Sequence, residues 1–428
     1  SAGWASFQLY TPFFLRSDDM FFDSECRRIF EACMSPDRTE RLLGNLRNTP
    51  VLAVHGGNDD NVPPTHARLL TGILDRMDYD VDYWEEPEQG HWWDSNPDLP
   101  GAHCVDAPRI RSFMREHKRN PKPRHVTLVT YDLGNTNSKY WVSVNEEIDP
   151  LGGVYVDAET IEYGFISCKT MNVRELEFNL RPDAFPQNVS EIKVEIDNQN
   201  LSCPLDENGK AIFTNLDGVW QAGKIESKGI YNLHKTPQFR GPIKRAYFKP
   251  FIFVVGASGT DDENALNLEA AVNLQIRWWY RANGYSTIIT DKDYEQQTGA
   301  LPYNLILIGG PSSNSLSAKM AENLPIKIGS GGVALGDKFI PGTDLAVKFV
   351  YPNPDSEGTL IYADWGTSLK GMRLAVGLTC LYSGSGVPDF LVYDDEVRLG
   401  GYASVRAAGF FDNDWQLDSE YYFINHFR

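Results

Sequence analysis

The period of apolar positions changes twice along the chain, near residues 123 and 247. In residues 1–122, strand-like and helix-like patterns alternate. Val51-Leu52-Ala53-Val54 is an unbroken apolar run that ends in His55-Gly56-Gly57 and then acidic residues. After Pro63-Pro64, residues 65–77 place Leu69, Leu70, Ile73 and Leu74 at helical spacing, with Thr65 as the expected N-cap. A short strand over 81–87, a Gly90-His91 loop and a helix over 107–119 complete the block. Two earlier helices are expected around 24–33 and 38–46. The segment "NPKPRH" (120–125) reads as a linker.

From 124 to 246 the texture becomes short alternating runs, such as "HVTLVTYDL", "KYWVSV", "GVYVDA" and "IKVEID", separated by Gly, Pro, Asn and Asp. Period-two runs of this length predict an antiparallel β-sandwich. At 247 the pattern reverts. "FIFVVGASG" (251–259) is a strand entering a Gly turn, and 264–284 is a long amphipathic helix ending at Gly284. Further buried strands follow over 286–291, 304–310, 359–366 and 390–395, predicting a second α/β domain on a parallel or mixed sheet. The expected domains are 1–122, 123–246 and 247–428.

Length agrees, since 428 residues exceed one ordinary core. A formal charge of −18 repels phosphate backbones, so no nucleic-acid partner is expected. No apolar run approaches the roughly 18 residues of a membrane span. Six cysteines form no CxxC, which excludes a zinc knuckle, and no pattern asks for a cofactor or metal. Cys26 and Cys33 stand two helical turns apart, roughly 10 Å and beyond disulfide reach, whereas Cys168 and Cys203 could pair. The acceptor sequons at Asn188 and Asn200, in an acidic and Trp-rich chain, point to glycosylation and secretion.

Chemistry concentrates at the end of the first apolar run. A carboxylate delivered by a buried strand, followed by helix, strand and a loop with His91, gives acid and base in the order Asp59 then His91. An imidazole there can take a serine proton while the Asp fixes its tautomer. Each residue also has an ordinary use, Asp59 in a turn and His91 in a loop. Together "HGGNDDNVPP" and "EQGHWW" resemble the end of the catalytic domain of prolyl oligopeptidase-family serine peptidases, which carries His-Gly-x-x-Asp-x-x-Val-Pro and then Gly-His. The resemblance covers roughly the first 120 residues. It implies that 1–122 is the C-terminal part of an α/β-hydrolase domain, with Asp59 as triad acid, His91 as base and His55 outside catalysis. The fold class expected is thus α/β: half a hydrolase domain, a β-sandwich and a second α/β domain.

No Gly-x-Ser-x-Gly occurs in the chain. Ser1-Ala2-Gly3 would need a preceding Gly-x and reads better as the end of a strand. Ser258, in Gly256-Ala257-Ser258-Gly259-Thr260, lacks the last Gly and follows His91, the wrong order for this fold. The nucleophile is therefore expected upstream, on an N-terminal remainder of the same protein that partners this chain. The expected function is a secreted serine peptidase acting on peptide or ester substrates, against a carboxylesterase or a non-catalytic scaffold. Trp92 and Trp93 either wall the cleft or pack at its edge. Arg277–Arg281 ("RWWYR") reads as core with snorkelling Arg, and Gly309-Gly310 only weakly suggests a phosphate cradle.

Overall fold

In the computed structural model, Val51–Gly56 (β1) and Val81–Glu86 (β2) pair in parallel, with Val54 opposite Trp84 and Gly56 opposite Glu86. The structure describes residues 5, 23–94, 103–162, 164–180, 189–224, 234–297, 299, 301–329, 331–382 and 386–426. These fall into two compact units. One holds Ala5 and the described residues within Ser35–Glu226; the other holds those within Leu15–Met34 and Ser227–Arg428.

In the first unit, helix Thr65–Arg76 links β1 to β2. Thr65 is its first residue, not its cap, because Pro64 takes that position without a side-chain bond. The buried face is also shifted, to His66, Ala67, Thr71 and Leu74. Ala67, Thr71 and Leu74 repeat at helical spacing, and Leu69 lies about 200° around from Ala67, facing water. The segment expected as a helix over 38–46 is two short 3-10 turns, Thr39–Arg41 and Leu43–Leu46. Among the described residues β1 and β2 form a two-stranded sheet. Their core is small: Val54, Trp93 and Cys104 are buried, with Leu52, Trp84 and Ile110 half-buried against them. Helix Pro108–Glu116 buries no residue. Such a pair of strands has too little apolar area to fold alone.

Among the described residues ten strands follow in the same unit: β3 (His125–Thr130), β4 (Ser138–Lys139), β5 (Val142–Glu147), β6 (Val154–Glu162), β7 (Phe165–Met171), β8 (Val173–Asn179), β9 (Glu191–Ile196), β10 (Gln199–Pro204), β11 (Lys210–Leu216) and β12 (Val219–Ala222). They form two five-stranded sheets, ordered β10-β9-β7-β6-β3 and β12-β11-β8-β5-β4. Both sheets contribute to one core, where Val126, Val156 and Val194 of the first meet Val144, Leu176 and Phe213 of the second. Trp141 closes it at one end, its Nε1 donating to the Pro123 carbonyl at 2.9 Å.

Among its described residues the second unit is built on an eight-stranded mixed sheet. Its strands are β13 (Phe251–Val255), β14 (Ile288–Thr290), β15 (Asn304–Ile308), β19 (Ala346–Pro352), β20 (Leu360–Gly366), β21 (Phe390–Tyr393), β22 (Ala407–Gly409) and β23 (Tyr422–Ile424), in the order β14-β13-β15-β20-β19-β21-β22-β23. A three-stranded sheet, β16 (Ile326–Gly329), β17 (Gly332–Leu335) and β18 (Lys338–Pro341), precedes β19. The neighbours β14, β13, β15 and β20 run parallel, whereas β19 and the strands beyond it pair antiparallel. Helix Ser24–Met34 packs in this unit, although the sequence assigns it to the first block, and Phe30 stacks on Tyr402 at 4.3 Å.

All six cysteines are buried and free. The Cys168–Cys203 pairing is corrected by topology: β7 and β10 are separated by β9 in one sheet. Strands two places apart lie roughly 9–10 Å from each other, too far for a disulfide.

Candidate active site

The end of β1 is stitched to the loop after β2. Gly57 N donates to the Glu86 carbonyl at 2.8 Å, and Asn58 N to the Gln89 carbonyl at 2.9 Å. Gly56 allows this approach: a Cβ built on it would stand 2.5 Å from the Gln89 carbonyl oxygen, and closer still to that of Gly90. The chain then turns back, and Asp59 closes the turn with its own side chain. Its Oδ1 accepts from Asn61 N at 3.0 Å and Val62 N at 2.8 Å, the local pattern for which Asp is favoured.

The other carboxylate oxygen meets two imidazoles. Asp59 Oδ2 lies 2.9 Å from His91 Nδ1 and 3.2 Å from His55 Nε2. An ionised carboxylate only accepts, so His91 carries its proton on Nδ1 and leaves Nε2 as the free lone pair. Among the described residues Nε2 has no hydrogen-bond partner. Asp59's side chain is fully shielded while that of His91 is 23% exposed, so the acid is hidden and the base reachable. Burial pushes the Asp59 carboxyl up, but hydrogen bonds from Val62 N, His91 and Asn61 N outweigh it. They hold the group below its ordinary 3.8. His55 is wholly buried, and its Nε2 also reaches the Val62 carbonyl at 2.7 Å. It thus braces the Asp59 turn, a contact the sequence reading overlooked; four residues separate the two, which brings side chains together only where the chain turns.

The two tryptophans divide. Trp92 is 69% exposed and meets the His91 ring edge-on at 5.6 Å, while Trp93 is buried against Trp84. Ser258 lies in the second unit, where its side chain neighbours the Asp291 carboxylate, which is held below its ordinary range in part by that hydroxyl. Asp291 also accepts from Ala257 N at 2.9 Å and Ser315 N at 2.7 Å, and Ser258 N donates to the Ser313 carbonyl. The Gly turns after β13 and β15 are thereby tied to a carboxylate of the protein's own. Ser1 and Asn188 lie outside the described residues. Asn200 is exposed on β10, an edge strand.

Over 98% of its length the chain is 24% identical to an uncharacterized secreted protein of Arthroderma benhamiae. It spans 44% of that relative's length. The model of the prolyl oligopeptidase family matches residues 10–99, a stretch containing β1, β2, Asp59 and His91. The His-Gly-x-x-Asp-x-x-Val-Pro loop and the Gly-His loop, joined 2.9 Å apart through Asp59 and His91, lie within the segment that matches the prolyl oligopeptidase family model.

Proposed function

We propose that this chain supplies the acid and base of a Ser-Asp-His triad in a secreted serine peptidase whose nucleophile lies upstream of it. The observation that carries this reading is the 2.9 Å contact between Asp59 and His91, with a shielded carboxylate and a reachable imidazole. In the reaction, His91 Nε2 takes the proton of the serine hydroxyl as its oxygen attacks the substrate carbonyl. The imidazolium returns that proton to the leaving amine, and water then cleaves the acyl-enzyme by the same route. Asp59 stays ionised throughout and stabilises the imidazolium.

The small core under β1 and β2 supports a complementing segment, since two strands cannot close a hydrolase sheet. On this reading 1–122 is the end of the catalytic domain, 123–246 a β-sandwich and 247–428 an α/β domain. The test is a fluorophosphonate probe on native material containing both parts. The labelled serine is expected on a peptide absent from these 428 residues. Labelling of Ser1 or Ser258 would move the nucleophile into this chain, and no labelling would favour a scaffold.

Secretion carries a separate expectation. Asn200 and Asn188 both sit in acceptor sequons, and Asn200 is exposed. Intact mass should fall on glycosidase treatment of native protein. An unchanged mass would leave secretion resting on composition and on the Arthroderma benhamiae relative.

A further inference from the structure

In β3 and β6 the side chains of Val126, Leu128 and Val156 belong to the sandwich core, so by the two-residue period Thr127, Val129, Tyr155 and Asp157 share the opposite face. Val129 stands opposite Tyr155 in the register, and Thr127 opposite Asp157. The turn Leu43–Leu46 is clamped to the free edge of β3: Asn45 Nδ2 donates to the Val129 carbonyl at 2.7 Å, and its Oδ1 accepts from Val129 N at 3.0 Å. Arg47 Nε donates to Thr127 Oγ1 at 2.6 Å. Between this turn and the outer face of the sheet lies a pocket of about 460 Å³, a volume ordinary for a small-molecule site.

The pocket is rich in donors and poor in acceptors. Arg41, Arg47, Tyr131 and Tyr155 line it and no carboxylate does, in a chain of net charge −18. Arg41 Nη1 donates to Ser35 Oγ at 2.9 Å, which leaves its Nε–Nη2 edge, the fork that fits a carboxylate, without a partner among the described residues. Arg47 is partly neutralised: its Nη2 lies 3.6 Å from Asp157 Oδ1, which also accepts from the Thr127 hydroxyl at 2.7 Å and lies 2.9 Å from His125 Nε2. The Tyr131 and Tyr155 hydroxyls have no hydrogen-bond partner among the described residues. The Arg41 guanidinium stands over the Tyr131 ring at 5.5 Å. Gly153 admits that ring, since a Cβ there would stand 2.5 Å from it. Met77 and Met171, both exposed, complete the lining with adaptable apolar surface.

We propose that this pocket binds a small aromatic carboxylate, with its carboxylate on the Nε–Nη2 edge of Arg41 and its ring against Tyr155, Met77 and Met171. Unpaired donors with no acidic lining residue call for an anion. Two thioethers beside a phenol ring favour an aromatic body over a bare inorganic ion. The Tyr131 ring beneath the Arg41 guanidinium holds the fork in place. Asp59, His55 and His91 are not among the lining residues, so occupancy does not depend on the triad.

Calorimetric titration of the intact protein tests this, with N-acetyl-phenylalanine as the probe, its neutral amide as the uncharged counterpart and inorganic phosphate as a bare anion. The acid should bind saturably below about 1 mM, and about tenfold or more tighter than either the amide or phosphate. Arg41→Gln should bring the acid down to the affinity of the amide, with circular dichroism and thermal unfolding unchanged. Met171→Glu, at an exposed position where the fold tolerates change, should weaken the acid more than the amide. Equal affinities for acid and amide would remove the charge recognition, and phosphate binding as tightly as the acid would reduce the pocket to a plain anion site. Either result overturns the proposal, as would unchanged binding of the acid in both variants or no saturable binding up to about 10 mM.

Discussion

His91→Ala in the intact protein is expected to lower kcat/KM by about 10⁴-fold or more while leaving the fold in place. Among the described residues, His91 is the group beside Asp59 that combines an exposed edge with a ring nitrogen lacking a hydrogen-bond partner. His55→Ala should behave differently. It removes a buried donor from both the Val62 carbonyl and Asp59, at a cost of about 1–3 kcal/mol. Its effect on kcat should be far smaller than that of His91→Ala. Steady-state kinetics with thermal unfolding of both variants separates the roles. Equal kinetic losses would mean that His55 shares the proton transfer, and no loss for His91→Ala would remove the triad reading.

Gly56→Ala should also be damaging, although less so than His91→Ala, and residue 56 is not itself one of the proposed catalytic groups. The new Cβ would press on the Gln89 and Gly90 carbonyls, which are backbone atoms and cannot rotate away. The loop carrying His91 must then move, and a displacement of about 1 Å between acid and base costs on the order of 10²-fold in kcat. Gly90→Ala is the control. A Cβ there meets nothing within 4 Å, so activity should be close to wild type. Similar losses for both variants would show that the loop tolerates no side chain for some reason other than this close approach.

Elements with a strong local signal were legible in the sequence. The unbroken run at β1, the Gly turn after it and the interval to His91 marked the acid and base loops, and the resemblance to the family motif picked out Asp59 and His91, whose side chains lie 2.9 Å apart. The long helix of the second unit was legible for the same reason, and it ends at the left-handed Asn283, next to the Gly284 read from the sequence. Long-range relations were not. Which side of helix Thr65–Arg76 is buried depends on what it packs against, and Leu69 and Leu70 look alike in composition. The placement of Ser24–Met34 in the second unit rests on contacts with residues far along the chain, such as Phe30 with Tyr402. Periodicity also cannot tell which of two apolar faces a fold covers, so Trp279 and Tyr280 read as core although they face water.

The six free thiols bear on the redox life of the protein. Burial pushes Cys26 and Cys380 up to about 12, and raises Cys33, Cys168 and Cys203 as well. The thiolate is the species that attacks disulfides and peroxides, and these five sulfurs scarcely form it at neutral pH. They act as small hydrophobes. In the folded chain these five thiols are poor partners for disulfide exchange, and their packing rests on apolar contact rather than on a covalent staple.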